Sequence, residues 1–194
     1  HRTVRLSILV QSLAMAMLFS MLMLVQPIYD TVYGRAESFP LWFGGIAVVA
    51  ASASLINALL VVRYGMRRLV TIALGVQILL SGAMYFLNLG ALPDPYGFAA
   101  FVFFQTCLFF QAGLTLGNLN AIAMEPMGHI AGMAASVVGA ISTVLAALIA
   151  SPVGLMFDGT TKPLALAMLL MAIAAYALML YMGRVENRQP AAAE

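Results

Sequence analysis

The stretch NAIAMEPMGHIAG, residues 120–132, brings a carboxylate, an imidazole, a proline and two glycines together between two long apolar runs. Glu125 and His129 are its two side chains that could bind a metal or carry a proton. A zinc site needs three or four protein ligands, and the other nearby acids are expected in a polar C-terminal tail. Pro126 disfavours helical geometry at the residue before it, and Gly128 permits a chain reversal. The sequence therefore predicts a tight turn, with no metal and no cofactor.

A second charged stretch, RYGMRR, places Arg63, Arg67 and Arg68 within six residues. Three neighbouring guanidinium groups repel one another, and Glu125 is the one acid in an interhelical loop on the same side of the membrane. We therefore expect Glu125 to lie within ion-pair range of at least one of these arginines. Such a contact would act as a cytoplasmic latch between two halves of the bundle.

Polar residues recur along the apolar run FAAFVFFQTCLFFQAGLTLGNLNAIAM. Gln111, Thr115 and Asn118 are spaced i, i+4 and i+7, which places them on one face of a helix. We call this set the polar stripe, and we predict that it faces a water-filled cavity shared with Gln11. The alternative is that each of these amides forms only an interhelical hydrogen bond, as amides in membrane helices often do.

Small residues form a further pattern. Gly113 and Gly117 make a GxxxG pair beside the polar stripe, and Gly132, Ser136 and Gly139 continue at three- and four-residue steps in the next run. Small residues at this spacing allow close approach of two membrane helices. The fifth helix is therefore predicted to pack tightly on the second or fourth helix, or on a partner outside the chain.

The composition identifies the class of protein that positions these residues. Hydrophobic residues make up 63% and charged residues 8%, against roughly 45–50% and 25% in soluble domains. This is the composition of an all-α integral membrane protein. A net charge of +2 with one cysteine suggests neither nucleic-acid binding nor a disulfide framework, and no room remains for a soluble enzyme domain.

Six apolar runs are long enough to cross about 30 Å of hydrocarbon. They are expected at residues 5–28, 40–62, 69–91, 98–124, 130–157 and 163–183, which form one transmembrane domain, 1–183, followed by a polar tail, 184–194. Seven arginines fall on the side of both termini, whereas Arg35 and Lys162 fall on the other. Because short basic loops stay cytoplasmic, both termini are predicted inside. The sixth run has no amide or charge, and we expect it to face lipid over most of its surface.

Residues 117–164, GNLNAIAMEPMGHIAGMAASVVGAISTVLAALIASPVGLMFDGTTKPL, carry a resemblance to a known family. A Gly-Asn pair, Ala-x-Glu-Pro-x-Gly-x-x-Ala-Gly, a small-residue helix and Asp-Gly-Thr before a proline follow in the order seen in major facilitator superfamily transporters. The stretch is most similar to the Bcr/CflA-type drug:proton antiporters. VRYGMRR resembles a degraded form of the superfamily's loop motif, with Arg63, Gly65 and Arg67 matching and Val62 and Met66 departing from it.

The resemblance implies the C-terminal half of a twelve-helix transporter in the cell inner (cytoplasmic) membrane. It implies two inverted three-helix repeats, a central cavity lined by the first and fourth helices, outermost third and sixth helices, and an N-terminal six-helix half in the same or a separate chain. The implied function is proton-coupled efflux of drug-like or small metabolite substrates by alternating access. No titratable residue lies mid-span in this sequence, so the coupling acid is expected in the other half. A facilitator for another solute and a non-transporting membrane assembly subunit remain alternatives.

Overall fold

Six long helices account for most of residues 2–188, which are the residues that the computed structural model describes. Each is long and apolar enough to cross a membrane, so the chain is an all-helical protein of the multi-pass membrane type. Their bounds are α1 Arg2–Pro27, α2 Phe39–Tyr64, α3 Met66–Phe86, α4 Tyr96–Met124, α5 Ala131–Leu155 and α6 Lys162–Arg188.

The helix ends differ from the predicted ones at three places. After α1 the chain continues as a π-helix, Ile28–Val32. α3 begins and ends several residues earlier than predicted, and a short 3-10 helix, Leu89–Ala91, follows it. α6 continues to Arg188, so Glu186 lies on a helix and not in the tail. The rest of the predicted tail, residues 189–194, lies outside the described residues.

Helices α1 and α4 pack against each other at the centre of the bundle. α1 also packs on α5 and α6, α4 also packs on α2 and α3, and α3 packs on α6. The core between them consists of apolar side chains, among them Met17, Met21, Leu108, Leu119 and Met168, all essentially inaccessible. Helices α2 and α5 lie at the edges, and α2 is the least buried of the six.

The sequence does not distinguish the lipid-facing side of the sixth helix from its buried side. Within the described chain 44% of the span is buried, so the expectation that it faces lipid over most of its surface stays a prediction. α6 buries one side against α1 and α3, including Leu164, Met168, Ala172 and Met179. Hydropathy cannot make this distinction, because a leucine gains as much from lipid tails as from a neighbouring helix. Burial within the chain was therefore not predictable from the absence of polar residues.

The connection between α4 and α5 is a short 3-10 helix, Glu125–Ile130. Glu125 itself has helical angles, φ −46° and ψ −49°, which contradicts the expectation drawn from Pro126. The departure from helical geometry comes at Met127, at φ −125° and ψ 29°. Proline is tolerated in the first turn of a helix because its missing N–H would be unpaired there, and Pro126 occupies that position. Gly128 is not among the glycines with positive φ.

Candidate functional site

The polar stripe is buried within the described chain. Gln111 and Asn118 are 4% exposed and Thr115 is fully inaccessible. The Gln111 Nε2 donates a hydrogen bond to Thr115 Oγ1 at 3.0 Å, and the threonine hydroxyl donates to the Gln111 carbonyl at 2.9 Å. Gln111 and Thr115 therefore hold each other's side chains along one face of α4.

Asn118 extends the stripe to a neighbouring helix. Its Nδ2 donates to Asn57 Oδ1 on α2 at 2.7 Å and to the Leu114 carbonyl at 2.7 Å. The interhelical alternative thus applies at this position, and the partner of the stripe is α2. Gln11, on α1, forms no hydrogen bond with the stripe. Asn57 is the residue that sequence reasoning missed, because a single amide in an apolar helix carries no spacing signal.

Four buried side-chain amide oxygens have no donor among the described residues. Two of them belong to predicted binding residues, Gln11 Oε1 on α1 and Gln111 Oε1 on α4, and each of these side chains is more than nine-tenths buried. Buried polar atoms in folded proteins are nearly always hydrogen-bonded to protein or water. These two oxygens are therefore unpaired acceptors that a rearrangement of the bundle would have to expose before water or a bound molecule could donate to them.

Gln111 also lines a half-open cavity of about 300 Å³ formed by residues of α2, α3 and α4. Thr106 and Cys107 contribute the other polar atoms of its wall, and the remaining lining is aliphatic or aromatic. The size is at the lower end of small-molecule sites. An apolar molecule with one hydrogen-bond donor fits the chemistry of this wall.

Charged residues meet at the end of the bundle that carries Arg2, Arg63, Arg67, Arg68 and Arg184, which we call the arginine-rich face. Arg67, in the first turn of α3, lies with Nη2 2.6 Å from Glu125 Oε2 and with Nη1 3.2 Å from Oε1. The predicted ion-pair contact of Glu125 is therefore present, and it is bidentate, a geometry that strengthens arginine–carboxylate pairs.

Arg67 binds a second carboxylate as well. Its Nη2 lies 2.9 Å from Glu186 Oε1 and its Nε lies 2.7 Å from Glu186 Oε2. One guanidinium thus connects α3 with the end of α4 and with α6. Sequence reasoning missed Glu186 because it assigned the residue to the tail, although RVEN has no helix breaker that would end α6.

The other two arginines predicted for the latch have different surroundings. The Arg63 guanidinium lies 5.5 Å from the centre of the Tyr64 ring. Arg68 lines a groove between α3 and α6. Neither forms an ion pair with a described residue.

The small residues behave differently along the two helices that carry them. A Cβ built on Gly113 would lie 2.8 Å from the Cβ of Ala53, so α4 and α2 approach closely at that point. A Cβ on Gly117 would meet nothing within 4 Å. Only the first glycine of the GxxxG pair therefore makes the predicted close contact within the described chain.

The fifth helix does not pack tightly on α2 or α4 through its small residues. A Cβ on Gly132 or Gly139 would have no neighbour within 4 Å, and the exposed Ser136 hydroxyl donates to the carbonyl of Gly132 in its own helix. α5 packs chiefly on α1, with Ala134 and Val138 on its buried side. The small-residue side of α5 faces outward, so of the three neighbours predicted for it only a partner outside the chain stays open.

The opposite face of the bundle is also held by polar contacts. Arg35 Nη2 lies 2.9 Å from Asp94 Oδ2, and its guanidinium stacks 4.3 Å from the centre of the Phe98 ring. Tyr33 donates to the carbonyls of Gly90 and Gly97 at 3.0 and 3.2 Å. Burial, followed by the nearby Tyr29 hydroxyl, raises the pKa of Tyr33, so this phenol stays a neutral donor.

The chain matches no protein-family model, no curated protein and no solved structure. The resemblance to a transporter family therefore rests on the residues themselves, chiefly on 117–164.

Proposed function

We propose that this chain is one six-helix half of a secondary transporter of the major facilitator type. It would move a drug-like or small metabolite substrate by alternating access, with proton entry as the driving force. The observation that carries the proposal is the pattern of helix contacts. The six most extensive helix pairs are α1 with α4, α5 and α6, α4 with α2 and α3, and α3 with α6.

This set of pairs is unchanged when α1, α2 and α3 are exchanged with α4, α5 and α6. Because each set holds three membrane helices, the two run in opposite directions through the bilayer. Contacts of this kind are what two inverted three-helix repeats would make, and such repeats are common in secondary transporters. The exchange places α1 and α4 in equivalent central positions, where a substrate path would run.

The partner half would cover the side formed by α2 and α5. These two helices have the smallest buried share of the six spans, and α5 presents Gly132, Ser136 and Gly139 on its open side. Small residues permit the close approach that helix association in a membrane requires. The coupling carboxylate would come from that partner, since every acidic residue here lies at or beyond a span end.

Within this chain, Gln11 and Gln111 are the proposed substrate-binding residues. Their unpaired buried oxygens would accept hydrogen bonds from the substrate, while Thr115 fixes the Gln111 side chain. A hydrogen bond of this kind is worth about 1.5 kcal/mol, which corresponds to roughly a tenfold change in affinity. Gln111→Leu should therefore raise the substrate concentration for half-maximal transport by about that factor.

One contact favours a second candidate, a non-transporting assembly subunit. Asn118 uses its amide to hold α2 through Asn57, as a residue at a dry interface would. In that case the stripe would serve packing and not a substrate path.

Water access at position 118 distinguishes the two candidates. Asn118→Cys is placed in a Cys107→Ser background and treated with a membrane-impermeant thiol reagent from each side. A transporter half predicts labelling from at least one side, with a rate that changes when substrate is added. Ser81→Cys is the matched control, because Ser81 is fully buried on α3, outside the proposed substrate path, and should stay unlabelled. Absence of labelling from both sides would favour the assembly subunit.

A further inference from the structure

A groove of about 420 Å³ lies between α3 and α6 on the arginine-rich face. Its lining includes Arg67, Arg68, Ile72, Leu180 and Arg184. The groove includes no residue of the polar stripe, although Ile72 lines both the groove and the cavity beside Gln111. Its two ends differ in chemistry, because guanidinium groups line one end and aliphatic side chains line the other.

The charged end has an excess of positive charge that the chain does not neutralise. Arg67 is bound by Glu125 and Glu186, whereas Arg68 and Arg184 form no ion pair with a described residue. Arg67 and Arg68 also stand in the first turn of α3, which has no acidic residue and no side-chain cap. The amino end of a helix carries partial positive charge and favours anions. An anion bound between Arg68 and Arg184 would neutralise the two guanidinium groups and the partial positive charge at the amino end of α3.

The apolar end indicates what kind of anion this is. Ile72 follows Arg68 by four residues, and Leu180 precedes Arg184 by four, so each helix places its guanidinium and its aliphatic side chain on one face. Ile72 is 51% exposed and Leu180 is 44% exposed. Both lie one helical turn toward the membrane interior. A free phosphate would leave these two side chains uncovered, whereas an acyl chain would lie along them.

We propose that the α3–α6 groove binds an anionic phospholipid from the leaflet at the arginine-rich face. Arg68 and Arg184 would hold the phosphate, for which the planar guanidinium fork is well suited. Ile72 and Leu180 would contact the upper part of an acyl chain. Basic pockets between membrane helices at a bilayer surface are suited to anionic head groups.

Thermal unfolding of the purified protein in detergent tests this proposal, with lipid added at one fixed ratio. Phosphatidylglycerol should raise the midpoint by several degrees more than phosphatidylcholine with the same acyl chains, since a ligand of the folded state stabilises by mass action. Arg68→Gln/Arg184→Gln should remove most of that difference. Arg68→Gln alone should remove part of the difference. Arg63→Gln is its matched control, because it removes one arginine from the same face outside the groove, and it should keep the full difference.

A second experiment distinguishes binding of the whole lipid from binding of its head group alone. Glycerophosphoglycerol, which has the same phosphodiester and no acyl chain, should give no shift at equal concentration. An equal shift from this compound would overturn the lipid assignment, and so would an equal loss in Arg63→Gln or the absence of any preference for phosphatidylglycerol. Should the double variant fail to fold, Arg184→Lys replaces it. Lysine keeps the charge but loses the fork, so it should reduce the lipid-dependent shift, and an unchanged shift would count against the site.

Discussion

Asn118 on α4 donates a hydrogen bond to Asn57 on α2 across 2.7 Å. The contact joins the central helix of the bundle to its most exposed one. Since α2 buries few side chains against the described chain, only Ile46 and Ala53 being fully buried, a polar contact of this kind contributes a larger share of its attachment than it would elsewhere.

A double-mutant cycle measures this contact. Asn57→Leu and Asn118→Leu should each destabilise the protein, because each leaves the remaining amide without its interhelical partner. Their coupling energy should be about 0.6–1.7 kcal/mol, the range found for interhelical hydrogen bonds in membranes. Reversible unfolding in mixed micelles gives the four free energies. Pairing Asn118→Leu with Ser52→Ala is the control, because Ser52 bonds to Val49 within α2, and it should show no coupling.

The two glycines of the GxxxG pair should respond differently to alanine. Gly113→Ala would bring a methyl group within 2.8 Å of the Ala53 Cβ, so α2 and α4 must move apart, at a cost of about 1–3 kcal/mol. Gly117→Ala meets open space and should change stability by less than about 0.5 kcal/mol. Melting temperatures in detergent compare the two directly. Equal effects would mean that the α2–α4 spacing is not set at Gly113.

The sequence determines the number of spans and their approximate ends, because the hydrophobic thickness of a bilayer fixes the length of an apolar helix. It also identifies the pairing of Glu125, since so few charges lie between these helices that each has few possible partners. The side of each helix that faces the bundle is harder to predict from the sequence. An apolar residue satisfies lipid and protein alike, which is why the sequence did not show which side of α6 is buried or which of its possible neighbours the small residues of α5 would face.

The partners of individual polar side chains could not be predicted from residue spacing alone. The stripe was recognisable because three residues share a helical period, but its partner Asn57 stands alone in α2. Glu186 was missed because the end of α6 was set where hydropathy falls, whereas helical propensity carries the backbone on to Arg188. Helix ends at membrane surfaces are set by local propensity and by surface contacts, and hydropathy reports on neither.

Cys107, the single cysteine, reports on the cavity that it shares with Gln111. A small membrane-permeant maleimide should label it, and Val76→Phe should slow the reaction several-fold, because Val76 lines the same cavity. Val48→Phe is the matched control, since Val48 is an exposed valine of α2 that does not line the cavity. Mass spectrometry of the intact protein gives both rates. Equal slowing by the two variants, or none by either, would show that the thiol is reached by another route.

Arg67 should be the residue on which the latch at the arginine-rich face depends. Its guanidinium binds Glu125 and Glu186 together, so Arg67→Gln leaves two carboxylates close to each other without a cation, whereas Glu125→Gln removes one pair and leaves the other. The Arg67 side chain is 36% exposed and that of Glu125 is 40% exposed. An exposed pair of this type contributes about 0–1 kcal/mol, so Glu125→Gln should lower stability only slightly and Arg67→Gln clearly more.

The consequence for function is a shift between two states of the bundle, since a contact of this size biases an equilibrium without fixing it. Both variants should increase trypsin cleavage after Arg68, a site that both retain, and 0.5 M salt should reduce the difference from the unmodified protein because exposed pairs are screened. Arg63→Gln, which removes a charge that forms no ion pair with a described residue, should leave cleavage after Arg68 and stability unchanged. Transport measured in proteoliposomes should change more in Arg67→Gln than in Glu125→Gln. If Glu125→Gln alters neither the cleavage pattern nor transport, and Arg67→Gln behaves like Arg63→Gln, the contact is only part of a turn. It then has no effect on the equilibrium between the two states of the bundle.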